Sequence, residues 1–270
     1  MRFLVTGGAG FIGSHVVDAL VSDGNDVFVI DNFSTGKKEN VDKRARLYQC
    51  DITSKKLSSI MQKEKPEFIF HLAAQIEVRK SVADPMEDAK INILGSINVI
   101  ESGWKCGAKK IIFASTGGAI YGETENIPTD ENEREYPISP YGVAKLSVER
   151  YLHYYHEVYK LPYIALRFAN VYGPRQNNKG EAGVVAIFCA KIFQNEVPII
   201  FGDGKQTRDF VYVGDIARAN LLAMKSKNCG VYNVGTGKET DINALAKCIK
   251  NSLNYKNEFC TMLSMMVGDR

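Results

Sequence analysis

The sequence predicts an α/β fold, a doubly wound parallel sheet followed by a smaller second lobe, and three observations carry that prediction. Short apolar runs alternate with helix-spaced stretches through the first half of the chain. The runs are apolar at consecutive positions, as strands covered on both faces must be. A glycine-rich turn joins the first run to the first helical stretch, a junction that suits close approach of a phosphate.

The elements follow in order. Residues 2–6 form an apolar strand that ends at glycine. Over residues 11–21, Ile12, Val16, Ala19 and Leu20 share one helical face, and Asp23-Gly24-Asn25 stops the helix. Strands are expected at 27–30, 47–50, 68–72 and 110–115, with one long helix over 86–104. Ser139-Pro140 starts a second long helix over 140–159, because proline is preorganised for the first helical position. Residues 163–168 return to strand. Beyond Asn170 the pattern loosens: Gly173-Pro174, Gly180 and Gly183 mark loops, 184–193 reads as helix, and 198–201 and 209–213 read as short strands.

This pattern divides into residues 1–170, a Rossmann-type domain, and residues 171–270, mainly a second lobe with some elements returning to the core. The stretch 251–270 carries Met262, Met265 and Met266 without a period, so the second lobe reads as C-terminally shortened.

Composition narrows the function. A net charge of +3, with the lysines scattered, does not favour nucleic acid, and Lys37-Lys38, Lys55-Lys56 and Lys109-Lys110 read as solvated surface. No apolar run is long enough for a bilayer span, and residues 1–5 read as strand rather than export signal, so no membrane association and a cytoplasmic location are expected. The 6 cysteines are widely spaced with no Cys-x-x-Cys pair, which predicts free thiols and no metal site.

Thr6-Gly7-Gly8-Ala9-Gly10-Phe11-Ile12-Gly13 sets glycines three apart between strand and helix, where side chains would keep a pyrophosphate from the backbone. Asp31 ends the second strand. A carboxylate there accepts from ribose hydroxyls and repels a 2′-phosphate, which favours NAD over NADP. Asp51, ending the third strand, is a further candidate for the adenine end.

Tyr141 and Lys145 are four apart on the second long helix, one turn from each other on one face. An adjacent ammonium is expected to stabilise the phenolate and make Tyr141 an acid/base group. The helix follows the fifth strand, close to the carboxyl ends of the sheet where ligands bind in open α/β folds. Tyr151, Tyr154, Tyr155 and Tyr159 lack such a partner and read as packing.

Taken together, these residues resemble the extended short-chain dehydrogenase/reductase family, and within it the NAD-dependent UDP-glucose 4-epimerase branch. The match runs from about Arg2 to Asn243 and includes the glycine turn, Asp31-Asn32, His71-Leu72-Ala73-Ala74, Ser139-Pro140-Tyr141-Gly142 with Lys145, the run Arg167 to Arg175, and Gly202-Asp203-Gly204 followed by Arg208-Asp209-Phe210-Val211. The resemblance implies an NAD site made by Gly7, Gly10, Phe11, Ile12 and Gly13, then Asp31, Asn32 and Ser34, Asp51 and Ile52, Leu72, Ala73, Ala74 and Asn92, with Tyr141 and Lys145. It implies a second lobe that binds the UDP-sugar substrate through Asn170, Val184 and Arg208, and a homodimer joined through the two long helices. A surface ion pair with Asp209 is the plain alternative for Arg208.

The implied reaction is 4-epimerisation of UDP-glucose and UDP-galactose, or of the N-acetylated pair, through a 4-keto sugar. Tyr141 exchanges the 4-hydroxyl proton while NAD takes and returns the hydride. Two features depart from the family pattern. Gly117 stands where a catalytic serine or threonine is common, which makes Ser115 and Thr116 the candidate substitutes. Met266 stands where an arginine grips UDP, with Val267-Gly268-Asp269 as a remnant of that motif. Dehydration or decarboxylation of the same keto sugar is an alternative, disfavoured because Gly118, Ala119 and Ile120 supply no acid. A non-catalytic NAD sensor is the rival from another class.

Overall fold

The computed structural model of the protein describes residues 1–178 and 183–262. Gly180, Met265, Met266 and the Val267-Gly268-Asp269 remnant lie outside the described residues.

The first half alternates β1 (Arg2–Thr6), α1 (Phe11–Ser22), β2 (Asp26–Asp31), β3 (Arg46–Gln49), α2 (Lys56–Glu64) and β4 (Phe68–His71). It continues through α3 (Val78–Ala83), α4 (Pro85–Ala89), α5 (Gly95–Lys105), β5 (Lys110–Thr116), α6 (Gly117–Ile120), α7 (Pro140–Tyr159) and β6 (Tyr163–Phe168). Then come β7 (Asn170–Tyr172), α8 (Val184–Phe193), β8 (Ile199–Phe201), β9 (Thr207–Arg208), β10 (Phe210–Tyr212) and α9 (Val213–Lys225). The described chain closes with β11 (Gly230–Val234), β12 (Thr240–Asp241), α10 (Ile242–Ser252) and β13 (Cys260–Met262).

Seven strands form one sheet in the order β11-β6-β5-β4-β1-β2-β3. Every pairing within it is parallel, and β1 lies between β2 and β4, with Val5 opposite Val29 on one side and Phe70 on the other. The winding reverses between β1 and β4, and ligands of open α/β sheets bind beyond the carboxyl ends of the strands at such a reversal.

Both faces of the sheet are covered, which is why its central strands carry apolar residues at consecutive positions. Leu4, Phe28, Ile69, Ile111 and Phe113 pack against Leu57 and Met61 of α2, Val99 and Ile100 of α5, and Val148 and Leu152 of α7. Their chain neighbours Phe3, Val5, Val29, Phe70 and Ile112 face the other way, onto Val16, Val17 and Leu20 of α1 and Ile216 of α9. Fully burying one such side chain contributes about 1.5–3 kcal/mol.

Two elements after residue 170 return to this body. β11 adds a seventh strand beside β6, and α9 lies beside α1 over the sheet. The rest of the second lobe has its own core of Phe188, Ile200, Ile242, Ala246 and Ile249. α10 is capped by the Asp241 side chain, which accepts from the Ala244 N–H at 2.7 Å.

The expected long helix over 86–104 is not one regular helix. α4 passes into a π-helical segment, Lys90–Leu94, before α5 begins. The wider turn coincides with Asn92, whose buried amide bonds to Gln75 and Asp88 rather than lying on an apolar face. Among the described residues no helix is long and apolar enough to cross a membrane, and no group of three His, Cys, Asp or Glu side chains is placed to hold a metal ion.

Candidate active site

The cleft beyond the carboxyl ends of β1, β2 and β4 begins at the glycine turn. Gly7 has φ of +70°, and a Cβ there would lie 2.7 Å from the Ala73 nitrogen, so glycine is what lets the loop after β4 close onto β1. A Cβ at Gly13 would lie 2.1 Å from the Gly7 carbonyl oxygen, so the first turn of α1 rests directly on the loop. α1 starts at Gly10 without a side-chain cap, and Gly10, Phe11, Ile12 and Gly13 line the cleft. The unpaired amides of an uncapped helix start favour an anion there.

Asp31 is buried at the end of β2 and lines the cleft. Its Oδ2 accepts from the Ala9 N–H at 3.0 Å and its Oδ1 from the Phe33 N–H at 2.8 Å, which ties the glycine turn to β2 and leaves lone pairs for a ligand. Asn32 donates to Asp51 Oδ2 at 2.7 Å and accepts from the Ser34 N–H at 2.9 Å. Burial opposes the charge on Asp51, but bonds from Thr53 and Asn32 outweigh it and hold the carboxyl below its ordinary value. Asn32, Ser34, Asp51 and Ile52 all line the cleft.

Leu72, Ala73 and Ala74 form the opposite wall with Gln75, and a directional hydrogen-bond chain supports them. The Ser96 hydroxyl donates to the Asn92 carbonyl at 2.6 Å, so it accepts from His71 Nε2–H at 2.8 Å. His71 Nδ1 then accepts from the Thr6 hydroxyl at 2.7 Å, and Thr6 Oγ1 accepts the Ala73 N–H at 3.3 Å. Burial, then the charge of Lys145, holds His71 down to about 3, so the ring is neutral as this chain requires. Asn92 does not itself reach the wall. It stands one layer behind, where its amide closes on Gln75 N–H and Gln75 C=O, both at 2.9 Å.

Tyr141 and Lys145 lie on the cleft wall together. Ser139 caps α7 by accepting from the Gly142 N–H at 3.1 Å, and Ser81 of α3 accepts the Tyr141 N–H at 3.2 Å. Lys145 Nζ donates to the Ala114 carbonyl at 2.8 Å and lies 5.7 Å from the centre of the Tyr141 ring. The expectation that Lys145 lowers the Tyr141 phenol is not met. Loss of solvation, then the charge of Asp88, pushes the phenol above its ordinary value, and loss of solvation pushes Lys145 down to about 8 against the pull of Asp88 and Glu149. Enclosure dominates both groups.

Ser115 lines the cleft, but its hydroxyl donates to Glu149 Oε1 at 2.5 Å. Thr116 does not reach the cleft wall and stands as the N-cap residue of α6. A Cβ on Gly117 would meet the Phe168 carbonyl oxygen at 3.4 Å, an ordinary contact, and one on Gly118 would meet nothing within 4 Å.

The substrate candidates lie on neighbouring elements outside this cleft. Asn170 of β7 is paired in register with Phe210 of β10, and Phe210 shares the second lobe's core with Val184 of α8. Arg208 is exposed on β9, and its guanidinium donates to the Thr207 carbonyl at 2.7 Å. The surface pair with Asp209 is not made: that carboxylate accepts from the Thr236 and Gly237 backbone and the Thr236 hydroxyl instead.

Comparison with known proteins settles the family. The model of the NAD dependent epimerase/dehydratase family matches residues 3–235. The chain belongs to this family. It is 50% identical, with a TM-score of 0.95, to the crystal structure of a UDP-glucose 4-epimerase from Thermotoga maritima with UDP-glucose, covering 97% of this chain and 86% of that one. It is 42% identical, with a TM-score of 0.92, to a UDP-N-acetylglucosamine 4-epimerase from Methanobrevibacter ruminantium in complex with UDP-N-acetylmuramic acid, over 97% and 85% of the two chains. It is 40% identical, with a TM-score of 0.92, to the UDP-glucose 4-epimerase of Thermus thermophilus complexed with NAD, over 98% and 86%.

The cleft of this family member fits NAD: an uncapped helix start for the pyrophosphate, a buried carboxylate with free lone pairs for a ribose, and a lysine on the far wall. Sequence reasoning gave no role to Gln75, Glu77, Lys80 and Phe168, which also line the cleft, or to the supporting groups His71, Asp88 and Glu149, although His71 and Phe168 stood within matched runs. The signal for Asp88 was available. It precedes Asn92 by four, so two polar side chains share one face of a segment that is otherwise apolar toward the core.

Proposed function

We propose that this chain catalyses NAD-dependent 4-epimerisation of a UDP-hexose, either UDP-glucose and UDP-galactose or their N-acetylated counterparts. The observation that carries the reading is the placement of Tyr141 and Lys145 on the wall of the cleft that the glycine turn and Asp31 also line. The similarity to two kinds of UDP-sugar 4-epimerase supports it.

Gly10 to Gly13 hold the pyrophosphate, Asp31 a ribose at the adenine end, and Lys145 the ribose at the other end. When bound, NAD supplies a reversible acceptor for the hydride of the sugar C4 carbon. Tyr141 takes the proton of the 4-hydroxyl and gives it back, so the transient species is a 4-keto sugar, and return to its opposite face inverts C4. Because burial holds the proton on Tyr141, the phenol loses it only with positive charge close by, which Lys145 and the oxidised cofactor both carry. Asn170, Val184 and Arg208 take the UDP part; Arg208 offers a planar fork suited to a diphosphate.

Two further readings accompany this one. A homodimer is supported by Val143, Tyr151, Tyr154 and Val158, which leave an exposed apolar stripe along α7, with Met86 and Leu94 exposed on the preceding helical run. A reducing, cytoplasmic setting is supported by six free thiols.

The test is to incubate the purified protein with UDP-galactose and with UDP-N-acetylgalactosamine, without added NAD, and to separate the sugar nucleotides. Interconversion of either pair is expected. Absence of both, with NAD demonstrably bound, overturns the reading in favour of a sensor. Light scattering of the same sample checks the dimer.

A further inference from the structure

We propose that Asn40 is a positioning residue for the dinucleotide: by donating to the buried Ala9 carbonyl it fastens residues 33–40 onto the glycine turn, and so holds the pyrophosphate and adenosine walls of the cleft at one spacing. The inference rests on the placement of NAD given above.

The contacts form a closed ring around the edge of the cleft. On one side the Ala9 N–H donates to Asp31 Oδ2 at 3.0 Å, and Asp31 Oδ1 accepts from the Phe33 N–H at 2.8 Å. On the other side the Ala9 carbonyl accepts twice, from the Lys37 N–H and from Asn40 Nδ2, each at 3.0 Å. Ser34 and Thr35 lie between these fastenings and line the cleft. Asn40 ends a single 3₁₀ turn, Lys38–Asn40, and its own N–H donates to the Lys37 carbonyl, which turns its side chain back toward Ala9.

Peptide planarity gives the ring its effect. Asp31 fixes the plane between Gly8 and Ala9, and Lys37 with Asn40 fixes the plane between Ala9 and Gly10, so the two peptides that precede α1 are both held. The Gly10 N–H then points to the Gly7 carbonyl at 3.1 Å, and the amides that follow it open the helix toward the cleft. The 33–40 segment lies directly on the turn: a Cβ at Gly36 would stand 2.9 Å from the Ala9 carbonyl carbon and 3.0 Å from Asp31 Oδ1. Ser34, Thr35, Lys37, Lys38 and Glu39 are exposed, so hydrogen bonds rather than apolar burial hold this stretch in place. Ala9 is fully buried, and without Asn40 its carbonyl keeps the Lys37 bond, so the loss falls on alignment and not on an orphaned acceptor. A ligand that spans both walls depends on their spacing, whereas one that touches a single wall does not.

The test is Asn40→Ala in the full-length protein loaded with radiolabelled NAD, competed at equilibrium with unlabelled NAD, with ADP and with adenosine. NAD and ADP, which reach both walls, should bind about three- to tenfold more weakly than to the unaltered chain. Adenosine, which meets the Asp31 wall alone, should stay within about twofold. Unchanged NAD affinity in a folded variant overturns the proposal. An equal loss for all three ligands marks general loosening of the fold and overturns it as well. Gly36→Ala pushes the segment off Ala9 from the opposite side and should reproduce the split between ADP and adenosine; parental affinities in that variant also count against the proposal. If Asn40→Ala does not fold, Gly36→Ala carries the measurement. Inactivity toward UDP-sugars with NAD bound sinks the epimerase reading alone, and the competition still decides the role of Asn40.

Discussion

The Ser115 hydroxyl donates to Glu149 Oε1 at 2.5 Å, and the same carboxylate accepts from two nitrogens of Arg167 at 2.6 and 3.0 Å. A hydroxyl already donating inward cannot donate to a sugar, so Ser115 is a poor replacement for the group absent at Gly117. Ser115→Ala should lower kcat by less than about tenfold, well below the contribution of a working acid or base. A larger loss in steady-state assays restores Ser115 as a direct participant.

Arg167 is almost wholly buried and also donates to Glu135 and to the Tyr121 hydroxyl. Arg167→Met leaves Glu149 as an enclosed, unanswered charge and should destabilise the fold by about 3–5 kcal/mol. Urea unfolding measures this directly, and a change under about 1 kcal/mol would place the pair with weak surface ion pairs.

Tyr141→Phe keeps the ring and removes the proton carrier. Turnover should fall by about 10²–10⁴, while NAD, held mainly at the glycine turn and Asp31, stays bound to the purified variant. Survival of turnover removes Tyr141 from the mechanism.

His71 is held at about 3 in the fold against an ordinary 6.5. Between those values the unfolded chain binds the proton and the folded chain does not, so stability falls as pH drops through the window. The loss is up to about 1.4 kcal/mol per pH unit. Urea titrations at about pH 4.5–6.5 should show a steeper acid slope for the unaltered chain than for His71→Gln. Equal slopes would mean that His71 carries its proton in the fold.

Gly13→Ala sets a Cβ 2.1 Å from the Gly7 carbonyl oxygen, whereas Gly118→Ala meets open space. The first should lose roughly 1–3 kcal/mol of stability and much of its NAD affinity. The second should stay within about 0.5 kcal/mol of the parent. Thermal unfolding and cofactor titration of the pair separate them.

Much of the fold was legible because its signals are local. The predicted helices over 140–159 and 184–193 coincide with α7 and α8 end to end, since a capping serine with proline begins one and apolar spacing runs through both. The π-helical segment was not legible, because Lys90 to Leu94 has ordinary helical composition and only the pull of Gln75 and Asp88 on Asn92 shows why the turn widens there. α9 was overlooked and β11 was not specified, although one lies over the sheet and the other is a strand of it. β11 is half-buried at an edge and Gly230 opens it, so its pattern is weak, while its place beside β6 depends on a pairing distant in sequence.

The sequence by itself determined the nucleotide turn, the carboxylate after the second strand, and the one-turn spacing of Tyr141 and Lys145. Each depends only on residues close along the chain: glycine geometry, strand length and helical period. The tertiary structure decided which groups carry protons and which face the cleft. It set Tyr141 and the buried Lys145 on the cleft wall, turned Ser115 toward Glu149, and set Asn92 behind Gln75. Those outcomes depend on desolvation and on charges brought in from distant segments, which no local pattern records.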